Sequence, residues 1–307
     1  MKIKSTNEWD KLKTVVVGTA NNANWPLNDP VFNQEAEKTT WHETPVPSGP
    51  VPEWVVDETN EDLDILVKAL IDLGVEVLRP NDIDFQATDG LYNYCPRDRL
   101  IIGDNLVIDP SMMYPCREVE IYAYGNIVNS GVSGAEYLRM PRNAGMTLDA
   151  ANVCRLNDTW LVLESPSGNK PAIEWLKRQV PGVNIETCNF YSGVHIDSTI
   201  TPLREGFVML NASRVNQANC PKVFDGWEKY WVQDCVAQDF YQYPYASKWV
   251  GMNCLSIDPN TVIIDSAQTA IIKDLEAVGF TVIPLTLRHS RTLGGSFHCV
   301  TLDLFRE

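Results

Sequence analysis

Hydrophobic and polar positions along the chain repeat one unit, an apolar strand followed by a polar turn and a second apolar strand. Four such hairpins are predicted, over 100–108, 153–163, 200–210 and 254–264. Their turns hold Gly, Asp, Asn and Pro, the residues that favour tight chain reversals. The period of about 50 residues is in the range that indicates propellers and other repeat arrays.

A second unit, a helix followed by glycine and a strand, recurs between the hairpins. Apolar residues at helical spacing predict a helix that Thr59 caps, with Asp62 three residues later, and that runs to Gly74. A strand follows each predicted helix of this kind, over 75–80, 183–187 and 280–284.

The segment from Asn21 to Pro52 has no hydrophobic period and is rich in Asn, Pro, Thr and Trp. Long connections without secondary structure of their own are uncommon in compact domains and are often functional. We therefore expect a long loop here, a candidate lid over a site.

The two ends of the chain each supply one further strand. The first covers 15–17, and in the last Val300, Leu302 and Leu304 alternate with polar residues, as in a half-buried strand. If these strands pair, the ring they close has no open edge between its ends. We therefore predict an α/β fold, a five-bladed α/β-propeller of ββαβ-type repeats with pseudo-fivefold symmetry, in a single domain over 1–307.

Charge and composition narrow the functional class. The chain has 307 residues, with 40 acidic and 25 basic side chains and a net charge of −15. Such a charge repels phosphate backbones, so we expect no nucleic-acid partner, and it suits a cationic substrate. No apolar run approaches the ~20 residues of a membrane-spanning helix, and the first residues lack the apolar core of a signal peptide. We expect a cytoplasmic protein with no membrane partner.

Polar residues stand at one repeated position, just before the first strand of each hairpin. They are Asp98, Asp149, Asp197 and Ser247, and Cys299 precedes the C-terminal strand in the same way. If the blades are equivalent, these side chains enter the same end of the axis. Taken singly, each aspartate could be a turn or cap residue, and the cysteine a small buried hydrophobe.

Two neighbours of these positions matter for the chemistry. Gly294 and Gly295 form a turn that presents Cys299, and His195 stands two residues before Asp197. His195 and Asp197 could instead bind a metal ion from one strand face. No further His or Cys falls at a ligand spacing, and the eight scattered cysteines contain no Cys-x-x-Cys pair, so we expect free thiols, no metal and no cofactor.

The converging groups suggest one kind of substrate. Buried carboxylates are costly unless a cation compensates them, and a planar guanidinium matches two carboxylates. Such a cation would also lower the pKa of the Cys299 thiol. The thiolate could then attack the central carbon, while His195, oriented by Asp149, donates a proton to the leaving amine. Asp98 and Asp197 are the candidate guanidinium ligands.

The residues at these positions match a known family. The motifs that carry the match are Asn7-Glu8-Trp9-Asp10, Pro96-Arg97-Asp98, Leu148-Asp149-Ala150-Ala151, His195-Ile196-Asp197-Ser198-Thr199, Ser247-Lys248-Trp249 and Gly294-Gly295-Ser296-Phe297-His298-Cys299. With these motifs the chain resembles the glycine amidinotransferases of the pentein superfamily, over nearly its whole length.

The resemblance implies transfer of the amidino group from L-arginine to an amine through a covalent cysteine adduct, with release of ornithine. It implies Cys299 as nucleophile, His195 as acid/base and Asp149 as third member of the triad, with Asp98 and Asp197 on the guanidinium. Arg214 and Ser247 match the positions that hold the substrate α-carboxylate. Glycine is the default acceptor, while lysine, another amine or a biosynthetic intermediate remain open.

Two other functions stay open at this stage. One is a guanidino-group hydrolase of the same fold, an arginine deiminase or dimethylarginine hydrolase, in which water replaces the amine. The other is a non-catalytic pentein that only binds a partner, although that class is not expected to keep a cysteine–histidine pair. We expect small-molecule partners, L-arginine and an acceptor amine, and a homodimer is compatible with the resemblance.

Overall fold

A computed structural model describes residues 1–38, 47–129, 134–142, 144–189, 191, 195–241 and 243–307. Its described part contains five three-stranded sheets. The strands of these sheets are β1 (Leu12–Val17), β4 (Glu76–Leu78) and β17 (Thr301–Arg306); β5 (Ile101–Ile102), β6 (Leu106–Asp109) and β7 (Glu136–Arg139); β8 (Val153–Leu156), β9 (Thr159–Leu163) and β10 (Asn184–Cys188); β11 (Ile200–Arg204), β12 (Phe207–Asn211) and β13 (Glu228–Val232); β14 (Leu255–Asp258), β15 (Thr261–Asp265) and β16 (Thr281–Leu285). A short pair, β2 (Asn24–Trp25) with β3 (Gly49–Pro50), lies outside them.

Every blade has the same topology, an antiparallel pair followed by a parallel third strand. In the first blade β1 pairs antiparallel with β17, with Val16 opposite Leu302, and parallel with β4. The four predicted hairpins are β5–β6, β8–β9, β11–β12 and β14–β15. The predicted five-bladed α/β architecture, including the pairing of the first strand with the last, is therefore confirmed. A single domain over 1–307 stays a prediction.

Within the described ranges the hydrophobic core forms five clusters, each shared by two neighbouring blades. Val16 and Leu302 of the first blade pack with Ile102 and Val107 of the second. The series continues around the ring, and Val15 closes it by packing with Leu255 and Ile263 of the fifth blade. Because each blade buries one apolar surface on each side, the ring is stabilised by contacts between blades as much as within them.

Helices connect the strands. They are α1 (Pro30–Glu37), α2 (Glu53–Asp72), α3 (Phe85–Thr88), α4 (Gly125–Val128), α5 (Lys170–Gln179), α6 (Thr269–Ala277) and α7 (Ser290–Leu293). Three of them, α2, α5 and α6, are the predicted helices that precede a third strand. No helix in the described ranges combines the length and the apolar character that crossing a membrane requires.

The predicted start of α2 is wrong. The helix begins at Glu53, six residues before Thr59, and Pro52 occupies the N-cap position without a side-chain cap. Thr59 lies inside the helix, where its hydroxyl donates to the Val55 carbonyl at 2.6 Å. Asp62 is bound by Arg288 instead of serving a capping box. A threonine inside a helix can donate its hydroxyl hydrogen to the carbonyl one turn earlier, so Thr59 does not cap the helix.

The segment from Asn21 to Pro52 is not a featureless loop. It contains β2, α1 and β3, while residues 39–46 lie outside the described ranges. Asp29 caps α1 by accepting from the N–H groups of Val31 and Phe32, and its other oxygen accepts from Cys116 N at 2.8 Å. One carboxylate thus begins the helix and fastens it to a distant segment, an arrangement that a local pattern does not reveal.

The last strand is buried on both faces, contrary to the predicted half-buried strand. Asp303 is fully buried because Arg97, Arg155 and Arg306 surround its carboxylate, at 2.6, 3.2 and 2.8 Å. These arginines hold the pKa of Asp303 well below its usual range against the effect of burial. The polar face of β17 therefore points into a charged centre of the ring, where ion pairs replace solvent.

Candidate active site

The polar residues that precede the blade strands meet at one cavity of about 400 Å³. Six of the seven residues singled out from the sequence line it: Asp98, His195, Asp197, Arg214, Ser247 and Cys299. The seventh, Asp149, lies behind the cavity wall and is hydrogen-bonded to His195, which lines the cavity. The equivalence of the blades thus places side chains that are up to 201 residues apart in sequence around one space.

Cys299 is positioned by its own turn and by one buried amide. Gly294 ends α7 in the left-handed conformation, with φ +82°, which glycine adopts without strain. Downstream, the Asn253 side chain accepts from the backbone N–H of Ser296 at 3.2 Å and of Cys299 at 2.9 Å. The sulfur then lies 3.3 Å from Asp197 Oδ2.

The surroundings of Cys299 favour the neutral thiol. The neighbouring Cys95 thiol, burial and the charges of Asp197 and Asp98 all raise the pKa of the Cys299 thiol well above its ordinary value. Carboxylates on the cavity wall disfavour a second negative charge beside them. A cation bound between the sulfur and these carboxylates would reverse that effect.

His195 is held between two carboxylates. Its Nε2 lies 3.1 Å from Asp149 Oδ2, and its Nδ1 lies 3.6 Å from Asp98 Oδ1. Burial acts to lower the pKa of His195, but the charges of Asp98, Asp149 and Asp197 and the Asp149 hydrogen bond outweigh it and raise the pKa to about 9. The imidazole is therefore protonated at neutral pH and can act as a general acid.

Asp149 is itself fixed from behind. It is fully buried, and its Oδ1 accepts from the backbone N–H of Met113 at 2.8 Å while Oδ2 faces His195. With both oxygens engaged, the carboxylate cannot turn away from the imidazole. This is the geometry of an orienting third group in a Cys–His–Asp arrangement.

Asp197 lies between the nucleophile and a second histidine. Its Oδ2 contacts both Cys299 Sγ and His298 Nδ1, the latter at 2.8 Å, and His298 Nε2 lies 3.3 Å from Glu8. Burial would raise the pKa of Asp197, but His298 and His195 hold it down, to about 2. Residues 297–300 form a turn, not a strand, so strand alternation does not separate His298 from Cys299 and both reach the same oxygen.

Asp98 has one oxygen in use and one available. Oδ2 accepts from Arg117 Nη1 at 2.7 Å, whereas Oδ1 has no hydrogen-bond donor among the described residues. A buried carboxylate oxygen without a donor is costly, and it marks a place where a cationic ligand is favoured. Within the described ranges, no group of three or more His, Cys, Asp or Glu side chains is arranged to hold a metal ion.

Arg214 contributes a positive charge to the lining of the same cavity. Its Nη1 donates to Thr199 Oγ1 at 2.7 Å, and its guanidinium lies 5.1 Å from the Tyr191 ring. Burial lowers the pKa of Arg214, and no carboxylate of the described residues lies within ion-pair distance of it. Ser247 lines the same cavity at the start of the 3-10 turn Lys248–Met252. The pair can accept an anionic group of a ligand.

Sequence reasoning missed several residues of the site. Asn253 directly precedes the predicted strand at 254, but the repeat assigned Ser247 to the repeated position of this hairpin, so it gave no separate signal for Asn253. Arg117 and Glu120 had none, because a charged pair three residues apart is typical of a solvated helix surface. Glu35 and Lys38 reach the cavity from α1 and its C-cap, inside the segment expected to be a loop.

No protein-family model matches the chain. Inosamine-phosphate amidinotransferase 1 of Streptomyces glaucescens is 39% identical to it over an alignment of 332 positions. The alignment covers 98% of the chain and 95% of that protein. The mitochondrial glycine amidinotransferase of Xenopus laevis is 29% identical over an alignment of 356 positions, which covers 99% of the chain and 82% of that protein.

A solved structure gives the same result. The inosamine-phosphate amidinotransferase of Streptomyces griseus superposes with a TM-score of 0.93 at 37% identity, covering 99% of the chain and 97% of that structure. In each comparison the likeness runs through all five blades.

Proposed function

Because the chain belongs to the amidinotransferase family, we propose that it moves the amidino group of L-arginine to an acceptor amine through a covalent adduct on Cys299. One observation carries the proposal. Cys299, the protonated His195 and Asp98, whose Oδ1 accepts no hydrogen bond from the described residues, line one cavity. A thiol, an acid and a carboxylate anchor are what amidino transfer from a guanidinium requires.

In the first half-reaction the donor guanidinium binds Asp98 Oδ1 and Asp197, and its charge promotes ionisation of Cys299. The sulfur attacks the central carbon and forms a C–S bond. His195 protonates the departing nitrogen as the C–N bond breaks, and ornithine leaves. Over this half-reaction the thiol releases its proton to solvent and His195 gives one to the leaving amine, so His195 is left neutral and the positive charge stays on the amidino group bound to sulfur.

In the second half-reaction the acceptor amine attacks the same carbon and the C–S bond breaks. His195, left neutral by the first half-reaction, accepts the proton that the acceptor nitrogen loses, and the departing sulfur takes up a proton from solvent, which restores the thiol. Arg214 and Ser247 hold the α-carboxylate of L-arginine in the first half-reaction. Since arginine leaves as ornithine before the acceptor enters, both substrates use the same cavity in turn.

We place an amino-cyclitol phosphate of the inosamine-phosphate type first among acceptors, ahead of the glycine expected from the sequence. The relative that is 39% identical to the chain is named for inosamine phosphate as its acceptor. The relative named for glycine is only 29% identical. Two features support a large anionic acceptor. The cavity of about 400 Å³ exceeds what glycine would fill, and its lining includes the cation of Arg214 as well as Lys38, which pairs with Glu35.

The test is incubation of the purified protein with L-arginine alone and with inosamine phosphate, glycine or lysine. Ornithine, citrulline and amidinated products are then quantified by mass spectrometry. We expect ornithine in stoichiometric amount with one guanidino product, formed fastest from inosamine phosphate, and no product with Cys299→Ser. Citrulline without transfer would indicate a hydrolase. Absence of both ornithine and an amidino adduct on Cys299 would overturn the proposal.

A further inference from the structure

The cavity already contains a guanidinium of the protein itself, that of Arg117. This side chain is buried and lines the cavity beside Asp98. Its Nη1 donates to Asp98 Oδ2 at 2.7 Å, and its Nη2 lies 3.4 Å from the Cys95 carbonyl. The guanidinium carbon lies 5.3 Å from the Tyr92 ring centre. The protein therefore places the functional group of its donor substrate next to the carboxylate that we assign to the donor.

Glu120 keeps Arg117 at this place. It is fully buried, and its two oxygens accept from Arg117 Nε at 2.7 Å and Nη2 at 3.0 Å. A bidentate pair of this kind is stronger and more directional than the single bond from Arg117 to Asp98. Both residues lie on the 3-10 segment Pro115–Tyr124, three positions apart, so the pair is rigid.

We propose that Arg117 is a positioning residue for donor binding, and that Glu120 restrains it from occupying the donor guanidinium position. Arg117 acts through Asp98: it engages Oδ2 and neutralises the carboxylate, which leaves Oδ1, an oxygen that accepts no hydrogen bond from the described residues, for the donor. The inference rests on the proposed function, because it takes Asp98 as a ligand of the donor guanidinium.

The order of charges supports this assignment. From the interior to the cavity, Glu120, Arg117 and Asp98 alternate in sign, and a donor cation is the next member of the series. Without Arg117, Asp98 would lose its hydrogen-bonded charge partner and keep only His195 at 3.6 Å, which favours protonation and loss of cation binding. Without the Glu120 charge, Arg117 would keep only Asp98 as an ionic partner and would be free to turn toward Oδ1 and Asp197.

The first experiment compares Arg117→Lys with Arg99→Lys. Arg99 is an equally buried arginine, paired with Asp109, and it does not line the cavity. We expect kcat/KM for L-arginine to fall about tenfold or more in Arg117→Lys and to change little in Arg99→Lys at a similar thermal stability. In an Asp98→Asn background, Arg117→Lys should have no further effect on kcat/KM.

The second experiment measures the KM and kcat of Glu120→Gln separately. An internal competitor raises KM for L-arginine but is displaced at saturation, so we expect KM to rise about tenfold with kcat nearly unchanged. Glu120→Asp, which keeps the charge, should restore most of the affinity. If Glu120→Gln fails to fold, the comparison of Arg117→Lys with Arg99→Lys still decides the role of Arg117.

The outcomes separate this inference from the proposed function. Wild-type protein that neither binds nor consumes L-arginine would overturn the proposed function. Normal wild-type turnover with equal losses in Arg117→Lys and Arg99→Lys, or an Arg117→Lys effect that persists in Asp98→Asn, would overturn only the positioning role. A Glu120→Gln variant that loses kcat at unchanged KM would contradict the restraint by Glu120.

Discussion

The backbone N–H of Cys299 donates to the side-chain oxygen of Asn253 over 2.9 Å. The same oxygen accepts from Ser296 N at 3.2 Å, and Asn253 itself is buried. One amide from the start of the fifth blade thereby holds both ends of the short segment that carries the sulfur. The position of the nucleophile depends on this contact as well as on its own glycine turn.

Asn253→Ala is predicted to reduce both stability and activity. Two buried N–H groups lose their acceptor, and each loss lowers the free energy of unfolding by up to about 3 kcal/mol. The sulfur also loses its fixed position. We expect kcat/KM to fall by about one to two orders of magnitude. Asn169→Ala is the matched control, since its side-chain oxygen also accepts two backbone N–H groups, but away from the cavity. Equal activity losses in the two variants would contradict a specific role.

Gly295→Ala should inactivate the enzyme without unfolding it. A Cβ at residue 295 would lie 2.6 Å from Cys299 Cβ and 2.6 Å from Cys95 Sγ, so the nucleophile must move. A displacement of about 1 Å can cost roughly a hundredfold in rate. Gly182→Ala, whose Cβ would meet no atom within 4 Å, serves as control for the substitution itself. Steady-state kinetics and circular dichroism of both variants test this, and an active Gly295→Ala would refute it.

The protonation of His195 can be measured directly. Its pKa of about 9 exceeds the usual value because of Asp98, Asp149 and Asp197, so the imidazolium is stabilised in the folded state. The stability it contributes is present below pH ~6.5 and is lost as the pH rises through about 9. In Asp149→Asn we expect the NMR titration of His195 to move to lower pH. The chain has 4 histidines, and His195→Gln identifies the resonance by its absence. An unmoved titration would remove Asp149 as a partner.

Cys95 is predicted to suppress the ionisation of Cys299. The neighbouring Cys95 thiol, burial and the charges of Asp197 and Asp98 together raise the pKa of Cys299. Removing the Cys95 thiol with Cys95→Ala should let the thiolate form at lower pH. The rate of alkylation of Cys299 by iodoacetamide, followed by peptide mass spectrometry across a pH series, would then rise at a given pH. A slower or unchanged rate would show that burial and the carboxylates alone set the pKa.

Arg214 should distinguish donors by their carboxylate. L-Arginine and agmatine, which lacks the carboxylate, differ only at the group that Arg214 is proposed to hold. Loss of a charged hydrogen-bond partner costs about 1.5–3 kcal/mol, or roughly ten- to a hundredfold in kcat/KM. We expect Arg214→Gln to lose this factor with L-arginine and almost nothing with agmatine. A variant that still prefers L-arginine by the wild-type factor would exclude Arg214 from carboxylate binding.

The repeat made the fold accessible from sequence. Apolar runs on either side of short polar turns located the hairpins, and the residues before their strands located Asp98, Asp149, Asp197 and Cys299 together. This works because the blades are equivalent, so a position in one implies the same position in the others. The hydrophobic period of the sequence was therefore sufficient to locate the strands and turns that repeat from blade to blade.

Contacts between distant segments could not be predicted in this way. In the sequence, Asp303 lies on the polar side of a predicted half-buried strand, but in the structure arginines from two other segments, Arg97 and Arg155, surround it. Asp29 begins α1, yet its partner Cys116 lies 87 residues away. The roles of Arg117 and Glu120 depend on a 3-10 segment that no sequence period distinguishes. The partners of these charged residues are determined by tertiary structure, which overrides local propensity.

The pairing of β1 with β17 has a consequence for how the enzyme is made. During synthesis the three aspartates and His195 leave the ribosome long before Cys299, which directly precedes the last strand. The earlier blades can fold while the chain is still attached, but the sulfur reaches its acidic surroundings only when β17 docks on β1. A nascent chain therefore cannot react with a guanidinium before the ring is shut, and enzymatic activity reports completed folding rather than partial structure.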